Sequence, residues 1–279
     1  MQPMSDTAAQ VRDDELSVLL AAIFEHYQYD FRHYAPSSMR RRIGVALARM
    51  RIDSVPALQE KVLCDARAFS QLLETITVQL SEVFRDPGYF LTIRERVVPL
   101  LRTYPSIKLW VAGCSSGEEV YSFAILLHEE GLLDRALIYA TDINPQALRK
   151  AEAGVYDLVR MADFTDNHRR SGGHSSLSDY YTAAYGNAVF AKWLRRNTVF
   201  ADHSLATDSV FSEVHLVSCR NVLIYFDRTL QDRSLGLFRD TLCRKGFLGL
   251  GAKESLRFSK HSADFADFDP QRKIFQKSS

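Results

Sequence analysis

Cysteine is scarce in this chain of 279 residues. The four present, Cys64, Cys114, Cys219 and Cys243, show no CxxC spacing and no companion histidine pattern. A disulfide framework and a zinc site are thereby excluded as organising features, and no metal is expected. No apolar run reaches membrane length and no signal peptide opens the chain, so the expectation is a soluble, cytoplasmic protein without membrane insertion. Net charge is also missing: 35 basic against 34 acidic residues leave +1, which names no partner by bulk electrostatics. There is no internal repeat, no GxGxxG, and no Ser/His/Asp or Cys/His arrangement for nucleophilic catalysis. A hydrophobic content of 46% is enough for a substantial core.

The most informative stretch is Ile107-Lys-Leu-Trp-Val-Ala-Gly-Cys-Ser-Ser-Gly-Glu-Glu-Val-Tyr-Ser122. Residues 107–112 predict a buried strand, 113–117 a tight turn, and Gly117 onward a helix with Val120, Phe123, Ala124 and Leu127 on one face. An ordinary crossover has the same pattern, but small residues leading into a helix N-terminus also make a ligand cradle. A second apolar run, 136–141, ends in Asp142, 25 residues after Gly117. An acid at the tip of a neighbouring parallel strand can accept hydrogen bonds from ribose hydroxyls. Glu118 and Glu119 at the helix N-terminus would repel a pyrophosphate. They suit a ligand with a cationic group, which leans towards S-adenosylmethionine (SAM) over a dinucleotide. Cys114 and Cys219 flank this ligand position, and free thiols there imply a reducing compartment.

Three blocks carry a specific resemblance: Gly-Cys-Ser-Ser-Gly-Glu-Glu-Val-Tyr-Ser (113–122), Ala-Thr-Asp-Ile-Asn (140–144) and Cys-Arg-Asn-Val-Leu-Ile-Tyr-Phe-Asp (219–227). In order and distance they resemble the CheR family of chemotaxis-type protein-glutamate O-methyltransferases, from about residue 15 to the C-terminus. The resemblance implies an α/β fold: a small N-terminal all-helical domain, then a Rossmann-like SAM-dependent methyltransferase sheet with a small antiparallel β insert. Helical spacing independently predicts helices at 13–27, 36–51, 55–63 and 67–78. The expected domains are 1–80, a linker and linker helix over 81–105, and a SAM-binding domain over 106–279 with the insert at about 180–201. Residues 160–179 are polar and rich in Ser, Gly and His. They predict an exposed loop whose His168 and His174 are solvated.

By the same resemblance, Gly113, Glu119, Asp142, Arg220 and Asn221 bind the cofactor, and Ser204 and Leu205 flank the adenosine. Arg85 and Tyr225 match the polar pair near the transferable methyl group. They are the expected catalytic residues, with Arg85 also binding cofactor and holding the substrate carboxylate. Members usually show Thr-Asn-x-Thr-x-Phe-Phe-Arg before the second domain. This chain has Gln79 and Ser81 at the amide and hydroxyl positions of that cofactor-binding segment, and Lys253-Glu254-Ser255 stands where members often show His-Ser-Glu.

Six arginines and no acid lie between Asp30 and Asp53. A solvated basic face is one reading. The other is docking to an acidic partner, and the resemblance favours it: Arg40, Arg41, Arg42 and Arg49 would meet the methylation helices of a chemoreceptor. Nucleic acid is not expected, because no basic–aromatic pattern accompanies the run. The implied function is formation of glutamate methyl esters on a chemoreceptor, with S-adenosylhomocysteine (SAH) as product. The alternative is a non-catalytic SAM/SAH-binding signalling module. Compared with the tethering members of the family it resembles, Tyr181–Phe190 has one glycine and a shorter following stretch, which implies an enzyme that does not use a C-terminal receptor pentapeptide as tether; a monomer is expected.

Overall fold

The computed structural model describes residues 11–77 and 81–278. By internal contacts the chain divides into a helical unit, Met1–Val78 with Tyr225–Gln231, and an α/β unit, Gln79–Ile224 with Asp232–Ser279. Among the described residues no helix is long and apolar enough to cross a membrane.

The helical unit is built on α1 (Asp13–Tyr27), α2 (Pro36–Met50), α3 (Val55–Cys64) and α4 (Ala66–Ile76). Each turns one apolar stripe inward, such as Leu16, Leu19, Leu20 and Ile23 on α1 and Phe69, Leu72, Leu73 and Ile76 on α4. Pro36 opens α2 where a missing N–H costs nothing. Ser54 and Asp65 accept N-terminal amides of α3 and α4. The Tyr27 and Phe69 rings stack at 3.8 Å, and the Tyr27 hydroxyl donates to the Val62 carbonyl at 2.7 Å. Residues 225–227 join this unit through backbone bonds, Ala35 N to Tyr225 O at 2.8 Å and Asp227 N to His33 O at 2.9 Å.

In the α/β unit the linker helix runs as α5 (Pro87–Thr92), a π-helical turn (Ile93–Val97) and α6 (Val98–Leu101). The wide turn lies just before Pro99, which has no N–H to give to the carbonyl four residues back. Helices α7 (Glu118–Glu129), α8 (Pro145–Ala153), α9 (Met161–Arg170) and α10 (Arg228–Thr241) follow, α10 counting with this unit from Asp232 onward. The strands are β1 (Ile107–Ala112), β2 (Ala136–Asp142), β3 (Val155–Asp157), β4 (Tyr181–Ala184), β5 (Asn187–Phe190), β6 (Thr198–Asp202), β7 (Val214–Cys219), β8 (Leu242–Leu250), β9 (Phe265–Asp269) and β10 (Ile274–Lys277). Seven form one sheet in the order β6-β2-β1-β7-β8-β10-β9. The first five are parallel, and β10 runs antiparallel to both its neighbours. Strand β1 is nearly all apolar and almost fully buried, as a parallel strand covered on both faces must be. The other three strands make a small antiparallel sheet, β3-β5-β4.

Two segments depart from the sequence expectation. Residues 161–170 are helix α9, not loop. Met161, Phe164 and His168 point inward from it, and polar residues cover the rest. His168 is 2% exposed rather than solvated, and its Nε2 lies 2.9 Å from Glu129. The end of the expected insert, Thr198–Asp202, pairs with β2 in parallel as the edge of the main sheet. The insert instead takes in Val155–Asp157, which pairs with β5.

Candidate cofactor site

The strand order reverses between β1 and β7, and the carboxyl ends of the parallel strands lie level there. Ala112 is in register with Thr141, Val111 with Ser218, and Asp142 with Asp202. The crevice beyond such a reversal is where open α/β sheets bind ligands. Five connections gather at this edge: 113–117 after β1, Asp142 after β2, Ser204 and Leu205 after β6, Arg220 and Asn221 after β7, and Gly251 to Glu254 after β8.

The first connection is held from below. Gly113 and Cys114 donate their amides to the Thr141 carbonyl, both at 2.8 Å, and Ser115 donates to Asp142 Oδ2 at 2.9 Å. Gly117 adopts φ +92°, and a Cβ there would stand 2.7 Å from that of Ala151, so only glycine lets α7 start this close to α8. Asp142 Oδ1 takes the Asn144 amide at 2.9 Å. Burial pushes the Asp142 carboxyl up, and the amides of Asn144 and Ser115 oppose that shift. A carboxylate has about four lone-pair sites. With these two amides and that of Ile143 bound, Asp142 keeps capacity for one hydroxyl donor, which fits the ribose of a SAM-type ligand.

The two glutamates at the start of α7 are engaged by protein groups. Glu118 is fully buried; Oε1 receives Arg160 at 3.0 Å and Oε2 the Ser116 hydroxyl at 2.8 Å. Arg160 also donates to the Ser81 carbonyl. Glu119 receives the Ser218 hydroxyl at 2.6 Å on Oε1 and Arg220 at 2.9 Å on Oε2. The Arg220 guanidinium goes on to the Arg85 carbonyl at 2.9 Å and to Asp86 at 2.6 Å, and it lies 4.3 Å over the Tyr89 ring. Burial works to lower its pKa; Glu119, Tyr89 and Asp86 outweigh burial and hold it raised. The Tyr89 hydroxyl sits 3.0 Å from Ser218 Oγ, and burial pushes this phenol up.

Arg220 therefore ties the first turn of α7 to the segment carrying Arg85. Its two terminal nitrogens donate to protein partners, and its buried Nε has no partner among the described residues. That segment is unusual in its own right, since Phe84 and Asp86 on either side of Arg85 have φ of 53° and 57°. Non-glycine residues seldom adopt such angles, and they persist where neighbours over-determine them.

The remaining expected residues fall as follows. Ser204 donates its amide to Asp208 at 2.9 Å and accepts from the Ala206 amide at 3.2 Å; Leu205 is buried. Asn221 has φ 62°. Gln79 lies outside the described residues, and the Ser81 carbonyl is engaged as above. In the helical unit, Tyr225 lies beneath the Arg42 guanidinium, 4.3 Å from ring centroid to carbon. Arg42 is 4% exposed, and burial lowers its pKa. It is therefore not part of a solvated docking face. On α2, Arg41 and Arg49 are exposed, and half-exposed Arg40 is paired with Asp13.

Sequence reasoning missed Arg160, Tyr89, Ser218 and Glu254. Only Glu254 left a signal, as a departure from the family pattern. Cys114 and Cys219 are buried beside the site, and burial pushes both thiols well up.

Residues 14–77 match the family model of the CheR methyltransferase all-alpha domain, and residues 79–273 that of the CheR methyltransferase SAM binding domain. A Pseudomonas putida protein named as the methyltransferase Cher3 is 56% identical over 98% of this chain and all of its own length. An uncharacterized 104.1 kDa protein of Rhodobacter capsulatus is 28% identical over 89% of this chain, which spans 26% of it. A chemotaxis protein methyltransferase of Listeria innocua is 29% identical over 81% of this chain and 84% of its own.

Proposed function

The chain belongs to the CheR methyltransferase family, and on that premise we propose that it forms methyl esters on glutamates in the cytoplasmic helices of a chemoreceptor. It is a SAM-dependent methyltransferase; the acceptor and the residue roles are our reading. The observation that carries it is Arg220, which bonds Glu119 in the cofactor turn and the Arg85 carbonyl in the neighbouring segment within one buried network.

When bound, SAM supplies a methyl carbon whose bond to the sulfonium breaks as its bond to a carboxylate oxygen forms. A glutamate with a pKa of about 4.3 is already ionised at neutral pH, so no general base is required. What the protein must supply is alignment and removal of water from the attacking oxygen. Asp142, Glu119 and Asn221 hold the cofactor, with Gly113, Ser204 and Leu205 shaping its seat and Gln79 and Ser81 in the adjoining segment. Arg85 and Tyr225 take the orienting roles in our reading, and Arg85 holds the acceptor carboxylate. Arg41 and Arg49, with Arg40 where Asp13 releases it, form the docking face for acidic receptor helices. The protein acts as a cytoplasmic monomer, with neither nucleic acid nor a membrane as partner.

The test is methyl transfer from labelled SAM to a purified receptor cytoplasmic fragment. The expected result is label that base hydrolysis removes, and its near-complete loss in Arg85→Ala at unchanged thermal stability. SAH binding without transfer to any receptor fragment would favour the signalling-module reading instead.

A further inference from the structure

Glu254 is 5% exposed, yet it has a carboxylate to satisfy. Among the described residues its hydrogen-bond partners are backbone amides. Oε1 takes Val222 at 2.9 Å and Ile224 at 3.3 Å; Oε2 takes Asn221 at 3.1 Å and Gly251 at 2.5 Å. Three of the four amides belong to one short piece of chain. Strand β7 ends at Cys219, and a 3-10 turn begins at Leu223. Between them the backbone passes through the left-handed region at Asn221, where φ is 62°. Neither the sheet nor a helix supplies acceptors for these amides, and unpaired buried amides are costly.

The fit is close enough to exclude a side chain at position 251. A Cβ on Gly251 would lie 2.8 Å from both the Asn221 nitrogen and Glu254 Oε2. Burial pushes the Glu254 carboxyl up and the four amides oppose it. Three of its four lone-pair sites serve the 221–224 turn, and the fourth takes the Gly251 amide.

We propose that Glu254 is a positioning residue of the cofactor site: its carboxylate holds the 221–224 turn in the shape that presents Asn221 to SAM. The inference rests on the cofactor role given to Asn221 above. A glutamine cannot replace it, because its amide nitrogen would face two N–H donors where an oxygen now accepts. An aspartate keeps the charge and loses reach.

The experiment measures SAH affinity by calorimetry, and KM and kcat for SAM, in wild type, Glu254→Gln, Glu254→Asp and Asn221→Ala. In Glu254→Gln the SAH dissociation constant and the SAM KM should rise about tenfold or more, the scale of one hydrogen bond to a charged group. The kcat at saturating SAM should change much less. Glu254→Asp should lie between wild type and Glu254→Gln, and it carries the test if the glutamine variant does not fold. Weak binding in Asn221→Ala beside wild-type binding in Glu254→Gln would overturn the role of Glu254 alone. Wild-type binding in Asn221→Ala would remove the cofactor role of Asn221 and this proposal with it. A fall in kcat with KM unchanged in the aspartate variant would also overturn it.

Discussion

Glu129 shows how much a single buried side chain can organise. It is 2% exposed at its side chain and receives Arg94 at 2.6 Å, Tyr180 and Ser175 at 3.1 Å each, and the His174 amide at 3.2 Å, with His168 Nε2 2.9 Å away. Burial pushes its carboxyl up, but His168 and Arg94 outweigh burial and bring it from the ordinary 4.5 to about 2. A carboxyl lowered in the folded state stabilises the fold above its unfolded pKa and loses that effect as pH falls through the folded one. Glu129→Gln should cost about 3 kcal/mol at neutral pH, as breaking a buried ion pair does. Thermal melts should show the gap to wild type closing between about pH 4.5 and 2; a gap that stays constant through that window would contradict the assignment. At this scale the sequence was legible where a residue sits in a spaced motif. Asp142 was singled out from its distance to Gly117, and it accepts the Ser115 amide of the turn after β1. Glu118 with Arg160, Glu129 with His168 and Glu254 with Asn221 were not found. Their partners are 42, 39 and 33 residues apart, and only the folded sheet brings them together.

At the scale of elements, legibility followed the strength of the apolar pattern. Strands β1, β2 and β7 are mostly apolar runs, and the sequence places them correctly. Helix α9 buries only Met161, Phe164 and His168, and its polar composition hides that sparse stripe. The fate of Thr198–Asp202 depends on which strand it meets, a choice that local sequence does not encode. Helix α2 was legible as a helix, and its arginines were legible as a charge run. Which of them is buried was not, because Arg42 is covered by Tyr225 from the far end of the chain. If Arg41 and Arg49 dock an acidic helix, reversing both to Glu should cut receptor methylation about tenfold or more while SAH affinity holds. The wild-type rate should fall as salt rises. A salt-independent rate would leave these arginines as a solvated face. The β4–β5 hairpin turns through Tyr185 and Gly186, with φ of 50° and 77°, and Tyr185 stands fully exposed at its tip. So tight a turn, with a bulky side chain beside its one glycine, fits the expectation of no tether. Titration with a receptor C-terminal pentapeptide should give no heat and no competition with methylation; binding near –8 kcal/mol, in the micromolar range, would sink that expectation.

At the scale of the whole molecule, a nearly neutral chain of 279 residues concentrates its chemistry in two places. The α/β unit gathers five strand-end connections around Asp142 and Asn221, and the helical unit carries the arginines and Tyr225. Family membership makes the protein a methyltransferase. The central claim adds the acceptor: a glutamate carboxylate, used without a general base and oriented by Arg85. The most direct measurement is mass-spectrometric mapping of a receptor cytoplasmic fragment after incubation with SAM and the protein, wild type or Arg85→Ala. The account predicts methyl groups on glutamates of the receptor helices, lost on mild base treatment and absent with the variant. Methyl groups on nitrogen or sulfur side chains, or glutamate esters formed equally well by Arg85→Ala, would contradict it.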